Sequence, residues 1–199
     1  MDIKPFSRWG GLCLIVLAGA VSAQQAEPVM EEMSAEEAAM MAAFQASMTP
    51  GEPHAWLARQ TGRYKAVVRS WDDPASEPVT SEASVERTME LGGRVLYEEW
   101  TGTVMGMPFN GVGRTGYDNV TQRYWSTWTD NLSTGVFVAY GQRKADGSFE
   151  FRGEMPYPGT GSMIPTRSVS THGETERMDM YQTIDGVEFR AMAIELRRN

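Results

Sequence analysis

Two textures divide the chain. In the first, Met40, Met41, Phe44 and Met48 recur at helical spacing behind Ser34-x-x-Glu37, a capping box, and Pro50-Gly51 stops the run. A shorter helix is expected in "EPHAWLARQTG", with Pro53 in its first turn, Gly62 as its stop, and Trp56 and Leu57 as its buried face. The methionine stripe of the first helix reads as a face that packs on the rest of the protein, although such surfaces also receive varied apolar partners.

From Tyr64 onward, short alternating segments are separated by turn signals such as Leu91-Gly92-Gly93, Ala145-Asp146-Gly147 and Asp185-Gly186. Strands are predicted at 63–71, 79–90, 94–104, 108–117, 122–130, 134–142, 147–155, 165–172, 176–183 and 187–197. In "FEFRGE", Phe149 and Phe151 point to one face and Glu150, Arg152 and Glu154 to the other. About ten strands joined by short connections form an antiparallel meander, and curling it shut removes exposed edges. The predicted fold is therefore mainly β: an antiparallel up-and-down β-barrel of about ten strands with one or two N-terminal helices.

"FNGVGRTGYDN" places Gly111, Gly113 and Gly116 at the G-x-G-x-x-G spacing of a dinucleotide loop. That loop works at the N-terminus of a helix, and here "YDNVTQRYWSTWTDN" continues with a turn and β-branched and aromatic residues. Gly111 and Gly113 instead share one face of a strand, where a missing side chain permits a bend or a close approach.

The start of the chain adds a compartment. Lys4 and Arg8 precede an apolar run from Leu12 to Val21 that ends in Val21-Ser22-Ala23, the pattern of a secretory signal peptide cleaved after Ala23. The run is too short to span a bilayer. Residues 1–23 are thus expected as signal peptide, 24–52 as a disordered lead and amphipathic helix, and 53–199 as the barrel domain, with a periplasmic or secreted location. Cys13 lies in the apolar run, and Gly10-Gly11-Leu12 before it fits a lipoprotein signal poorly. Removing 1–23 leaves no cysteine and a protein more acidic than the chain's net −8, which argues against nucleic acid and anionic membranes as partners.

The run "LGGRVLYEEWTGTVMGMPFNGVGRTGYDNVTQRYWSTWTDNLSTG", followed by "GEMPYPGTG" and "MYQTIDGVEFRAMAIELRR", resembles the bacterial domain-of-unknown-function 1579 family. Its members carry G-x-P-F-x-G-x-G, then G-Y-D, then T-W-x-D. The resemblance covers nearly all of 53–198 and implies a calycin-like barrel, similar in broad shape to lipocalins and fatty-acid-binding proteins. It implies no activity. Ala193 departs from the acidic residue expected after the methionine of the last strand.

Candidate chemistry is sparse. Glu98 and Glu99 are adjacent, so pleating sends one carboxylate to each face; Glu98 joins Leu96 and Trp100, while Glu99 joins Val95 and Tyr97. Periodicity leaves the choice open, and the family resemblance favours Glu99 as the inward one. Trp128 and Asp130 share a face with Tyr124 and Ser126, an aromatic wall beside an acceptor. The expected ligand site is Glu99, Trp128 and Asp130 in one interior, with Arg167, Tyr117 or Tyr140 as the donor that keeps the carboxylate charged. His54 and His172 have no metal-ligand spacing, and His172 in "SVSTHGETE" reads as solvent exposed rather than as a haem ligand. No G-x-S-x-G nucleophile elbow occurs. No catalytic residue, metal or cofactor is assigned. Three classes of function remain: a barrel binding a small apolar or amphipathic molecule, a structural or protein-interaction module of the cell envelope, and a carboxylate-based enzyme.

Overall fold

The computed structural model describes residues 33–199. The expected signal peptide and most of the lead after it lie outside the described residues. Helix α1 (Ala35–Met48) opens on the capping box: the Glu37 amide donates to Ser34 Oγ at 3.2 Å, and the Ser34 amide donates to Glu37 Oε2 at 2.9 Å. Helix α2 (Glu52–Ala58) follows, with Pro53 in its first turn. It ends at Ala58, and Gly62, expected as its stop, instead begins the first strand.

Ten strands complete the chain: β1 (Gly62–Ser70), β2 (Val79–Glu90), β3 (Val95–Val104), β4 (Met107–Asp118), β5 (Arg123–Asp130), β6 (Phe137–Arg143), β7 (Phe149–Tyr157), β8 (Ser162–Thr171), β9 (Thr175–Ile184) and β10 (Val187–Arg198). Each pairs antiparallel with its neighbour, and β1 also pairs with β10, so the meander closes into a barrel with no free edge. One register shift, between Arg190 and Met192, interrupts the β9–β10 ladder.

Alternation puts charge outside and bulk inside. Outward pairs include Arg167 with Glu188 at 2.8 Å and Arg190 with Asp179 at 3.3 Å. Inside, Tyr64, Ala66, Val85, Trp100, Ile194 and Leu196 form one apolar cluster, and Leu96, Tyr124 and Phe149 join Trp56 and Leu57 of α2 in another. The Trp56 ring stacks on Phe149 with centroids 4.1 Å apart. Helix α2 is therefore a plug in one end of the barrel, the end bounded by the turns after β2, β4, β6 and β8. The opposite end, bounded by the turns after β1, β3, β5, β7 and β9, is called the mouth.

The methionine stripe of α1 does not pack on the barrel. Met40, Met41, Phe44 and Met48 are all exposed, Met40 by 62 %. The helix is held by its C-terminal end instead, where Arg94 donates to the Met48 carbonyl at 2.7 Å and the Asn119 amide donates to the carbonyls of Ala46 and Thr49 at 3.0 and 2.8 Å. The Ala46 carbonyl also accepts from the Thr49 amide at 3.3 Å, whereas those of Met48 and Thr49 lie beyond the last intrahelical bond, so side chains from two barrel turns satisfy them. A helix gripped at its end leaves its flank in solvent.

Candidate functional site

Inward positions of β2 read Val85, Arg87, Met89, and those of β3 read Trp100, Glu98, Leu96; register sets Arg87 opposite Glu98. Val85 and Trp100 belong to the mouth-side cluster, Met89 and Leu96 to the plug-side one. A charged pair thus lies between two apolar layers. The Arg87 guanidinium donates from Nε to Glu98 Oε2 at 2.9 Å and from Nη1 to Glu176 Oε2 on β9 at 2.7 Å, crossing the ring of Tyr64 at 4.8 Å. Arg87 and Glu176 are buried; the Glu98 side chain keeps 21 % exposure.

The same level of the wall carries Thr115, whose hydroxyl lies 3.3 Å from that of Ser126, itself between Tyr124 and Trp128 on β5. Together these groups make a polar belt on the inner faces of β2, β3, β4, β5 and β9. Burial alone would lower the Arg87 pKa; the charges of Glu98 and Glu176 outweigh it and hold the guanidinium protonated more firmly than in water. Two carboxylates on one guanidinium leave the belt with a net negative charge.

The chain matches the family model described as protein of unknown function (DUF1579) over residues 49–198, from just ahead of the plug helix through β10. It belongs to that family. No curated protein matches it.

The G-x-P-F-x-G-x-G segment of this DUF1579 chain runs from the turn at Gly106 into β4, where Gly111 and Gly113, and Gly116 beyond them, are seats for neighbouring side chains. A Cβ on Gly113 would stand 2.5 Å from Glu98 Oε1, one on Gly111 would enter the Trp128 ring, and on the outer face one on Gly116 would enter the Trp125 ring. Gly113→Val is accordingly expected to push Glu98 off Arg87 and lower stability by about 1–3 kcal/mol. Urea unfolding measures it, and a variant as stable as wild type would show that Glu98 moves aside freely.

The residues expected to share one interior site are separated. Trp128 and Asp130 do lie together on the inner face of β5, with the indole Nε1 donating to Asp130 Oδ2 at 2.8 Å. Tyr117 is inward too, but in the plug layer, edge-on to Tyr124 at 4.8 Å and to His54 at 5.9 Å. Glu99 faces out and is exposed. So is Tyr140, with Arg123 over its ring at 3.9 Å. Arg167 grips Glu188 on the outer wall at 3.0 and 2.8 Å, so it cannot be the donor to an interior carboxylate.

The inward carboxylate is Glu98, because Leu96 and Trp100 on its face are the core residues of β3. Val95 is also buried, but on the outside, where it borders a pocket of about 200 Å³ with Trp125 and residues 47–50. Sequence reasoning missed Arg87 and Glu176. The available signal was the alternation Val85-x-Arg87-x-Met89, an arginine at an apolar parity that demands a buried counter-ion.

His172 is not solvent exposed as expected. It stands edge-on to Trp56 at 4.8 Å and to Phe149 at 5.6 Å, and its Nδ1 is buried without a partner. Burial lowers its pKa, as do Arg87 and Arg143, against the opposing charge of Glu176. A histidine with a depressed folded pKa favours the fold above its unfolded pKa of about 6.5, and that contribution is lost as pH falls through the folded value. Stability should therefore decline on mild acidification, and His172→Phe should flatten that part of the profile; an unchanged profile would assign the effect to other groups, His54 first, since its pKa is lowered too, chiefly by burial.

Proposed function

We propose that this DUF1579 chain is an exported binding protein that takes a small apolar or amphipathic molecule through the barrel mouth. The observation that carries this reading is exposure in the wrong place for a filled core. Trp128, Phe137, Met155, Met180, Gln182 and Met192 alternate onto the inner face of a closed barrel, yet each is only half-buried. A side chain inside a closed wall can be accessible only to space continuous with the lumen. That space is lined by aromatic and methionine side chains above a polar belt, the mixture that suits a ligand with an apolar body and a polar end. The charged outward face is unlike the apolar band of a lipid-facing barrel, and the leading residues 1–23 carry the export pattern.

Protein recovered from a periplasmic fraction tests both parts. Its intact mass should begin at Gln24, and a neutral naphthylamine fluorophore should bind it saturably at micromolar concentration, about tenfold more weakly to Trp128→Leu. A chain that retains residues 1–23 removes export from the reading; absence of saturable binding removes the ligand.

The interaction-module reading draws on one different observation, the exposed Met40, Met41 and Phe44 flank of α1. It predicts that serine at these three positions changes what the protein associates with while leaving fluorophore binding intact.

A further inference from the structure

The belt sets terms for any head group that reaches it. Arg87 already donates to two carboxylates, and the other cation near Tyr64, Arg198, is engaged by the Tyr64 hydroxyl at 2.8 Å and the Arg59 carbonyl at 3.0 Å. Fatty-acid-type recognition needs an interior cation free to meet the ligand's carboxylate. Here the guanidinium is bracketed and the belt is net negative, so a second anion would meet repulsion.

Two polar atoms on the inner face of β3 are nevertheless unused. Glu98 binds Arg87 through Oε2, and its Oε1, lying across the bare face of Gly113, takes no hydrogen bond among the described residues. At the next inward position, Trp100 is 6 % exposed and its Nε1–H is buried without a partner. A buried donor left unpaired is destabilising, and native structures retain one where something else supplies the acceptor. Glu98 offers an acceptor, and Trp100 offers a donor.

We infer that the lumen selects an uncharged head group that both donates and accepts, a hydroxyl in the simplest case, with its proton on Glu98 Oε1 and its oxygen receiving the Trp100 Nε1–H. This rests on the lumen-binding reading above. A carboxylate head would answer Trp100 but stand against Glu98. An ammonium head would answer Glu98 but turn a cation toward the indole N–H. Only the hydroxyl or a similar neutral group satisfies both atoms. Discrimination of this kind comes from polar groups that the wrong ligand leaves unpaired.

The test is displacement of the neutral naphthylamine fluorophore from the full mature protein at neutral pH by decanol, decanoate and decylammonium, which share one chain and differ in the head. Decanol is expected to displace at concentrations about tenfold below the other two. Trp100→Phe, which removes the N–H and keeps an aromatic ring, should still bind the fluorophore and lose most of decanol's advantage over decylammonium. Decanoate equal to or better than decanol, decylammonium best of the three, no displacement by any of them, or discrimination unchanged in Trp100→Phe would each overturn the inference. Failure of the wild-type protein to bind the fluorophore at all is a different result: it overturns the lumen-binding reading beneath it.

Discussion

Arg87→Met should lower stability by about 3–5 kcal/mol at neutral pH, because it leaves two carboxylates in the interior with no cation. Glu98 and Glu176 are both held by this one guanidinium, at 2.9 and 2.7 Å. Without it, two desolvated carboxylates repel each other with no counter-charge between them. Converting all three members to apolar residues of similar size should restore much of the loss, since a matched apolar layer needs no counter-ion. Urea titrations of the single and triple variants at neutral pH measure this. A single variant as stable as wild type at neutral pH would mean that water from the lumen already solvates the carboxylates.

What the sequence disclosed about the barrel was local, and what it concealed was long-range. The capping box at Ser34, the turn at Asp185-Gly186 and the alternation of Phe149, Glu150 and Phe151 each need only neighbouring residues, and they delimit helices and strands within a few positions. The parity of β3 could not be read the same way. Val95 and Leu96 are both buried, one beside the outer pocket that residues 47–50 also line and the other against the plug, so apolar character marked both faces. The partner that keeps Glu98 inside is Arg87, and that arginine's second ligand, Glu176, lies 89 residues further along. Helix α1 failed in the other direction. Its residues form a good helix, but docking depends on Arg94 and Asn119, whose reach to its last carbonyls has no signature in periodicity.

Trp56→Ala is expected to be comparably damaging, at about 3–5 kcal/mol, and it tests whether α2 closes the barrel. Seven residues are too few to be helical without tertiary contacts, so α2 persists because Trp56 and Leu57 are buried under it. The Trp56 ring is the centre of that contact, against Phe149 at 4.1 Å, His172 at 4.8 Å and Tyr124 at 6.4 Å. Truncation removes all three together. If α2 stays in place, the loss is the cavity left by an indole; if it detaches, the loss stops at the free energy of docking, and the end of the barrel opens to water. The histidine distinguishes these outcomes. His172 owes its lowered pKa first to burial, so detachment should bring its titration, followed by NMR, back toward about 6.5, whereas a closed cavity should leave it depressed. Trp56→Phe keeps an aromatic ring against Phe149 and should retain both the depressed titration and most of the stability. A Trp56→Ala protein that melts with wild type and titrates like it would show that the barrel is sealed by its own wall, and that α2 rests on it without closing it.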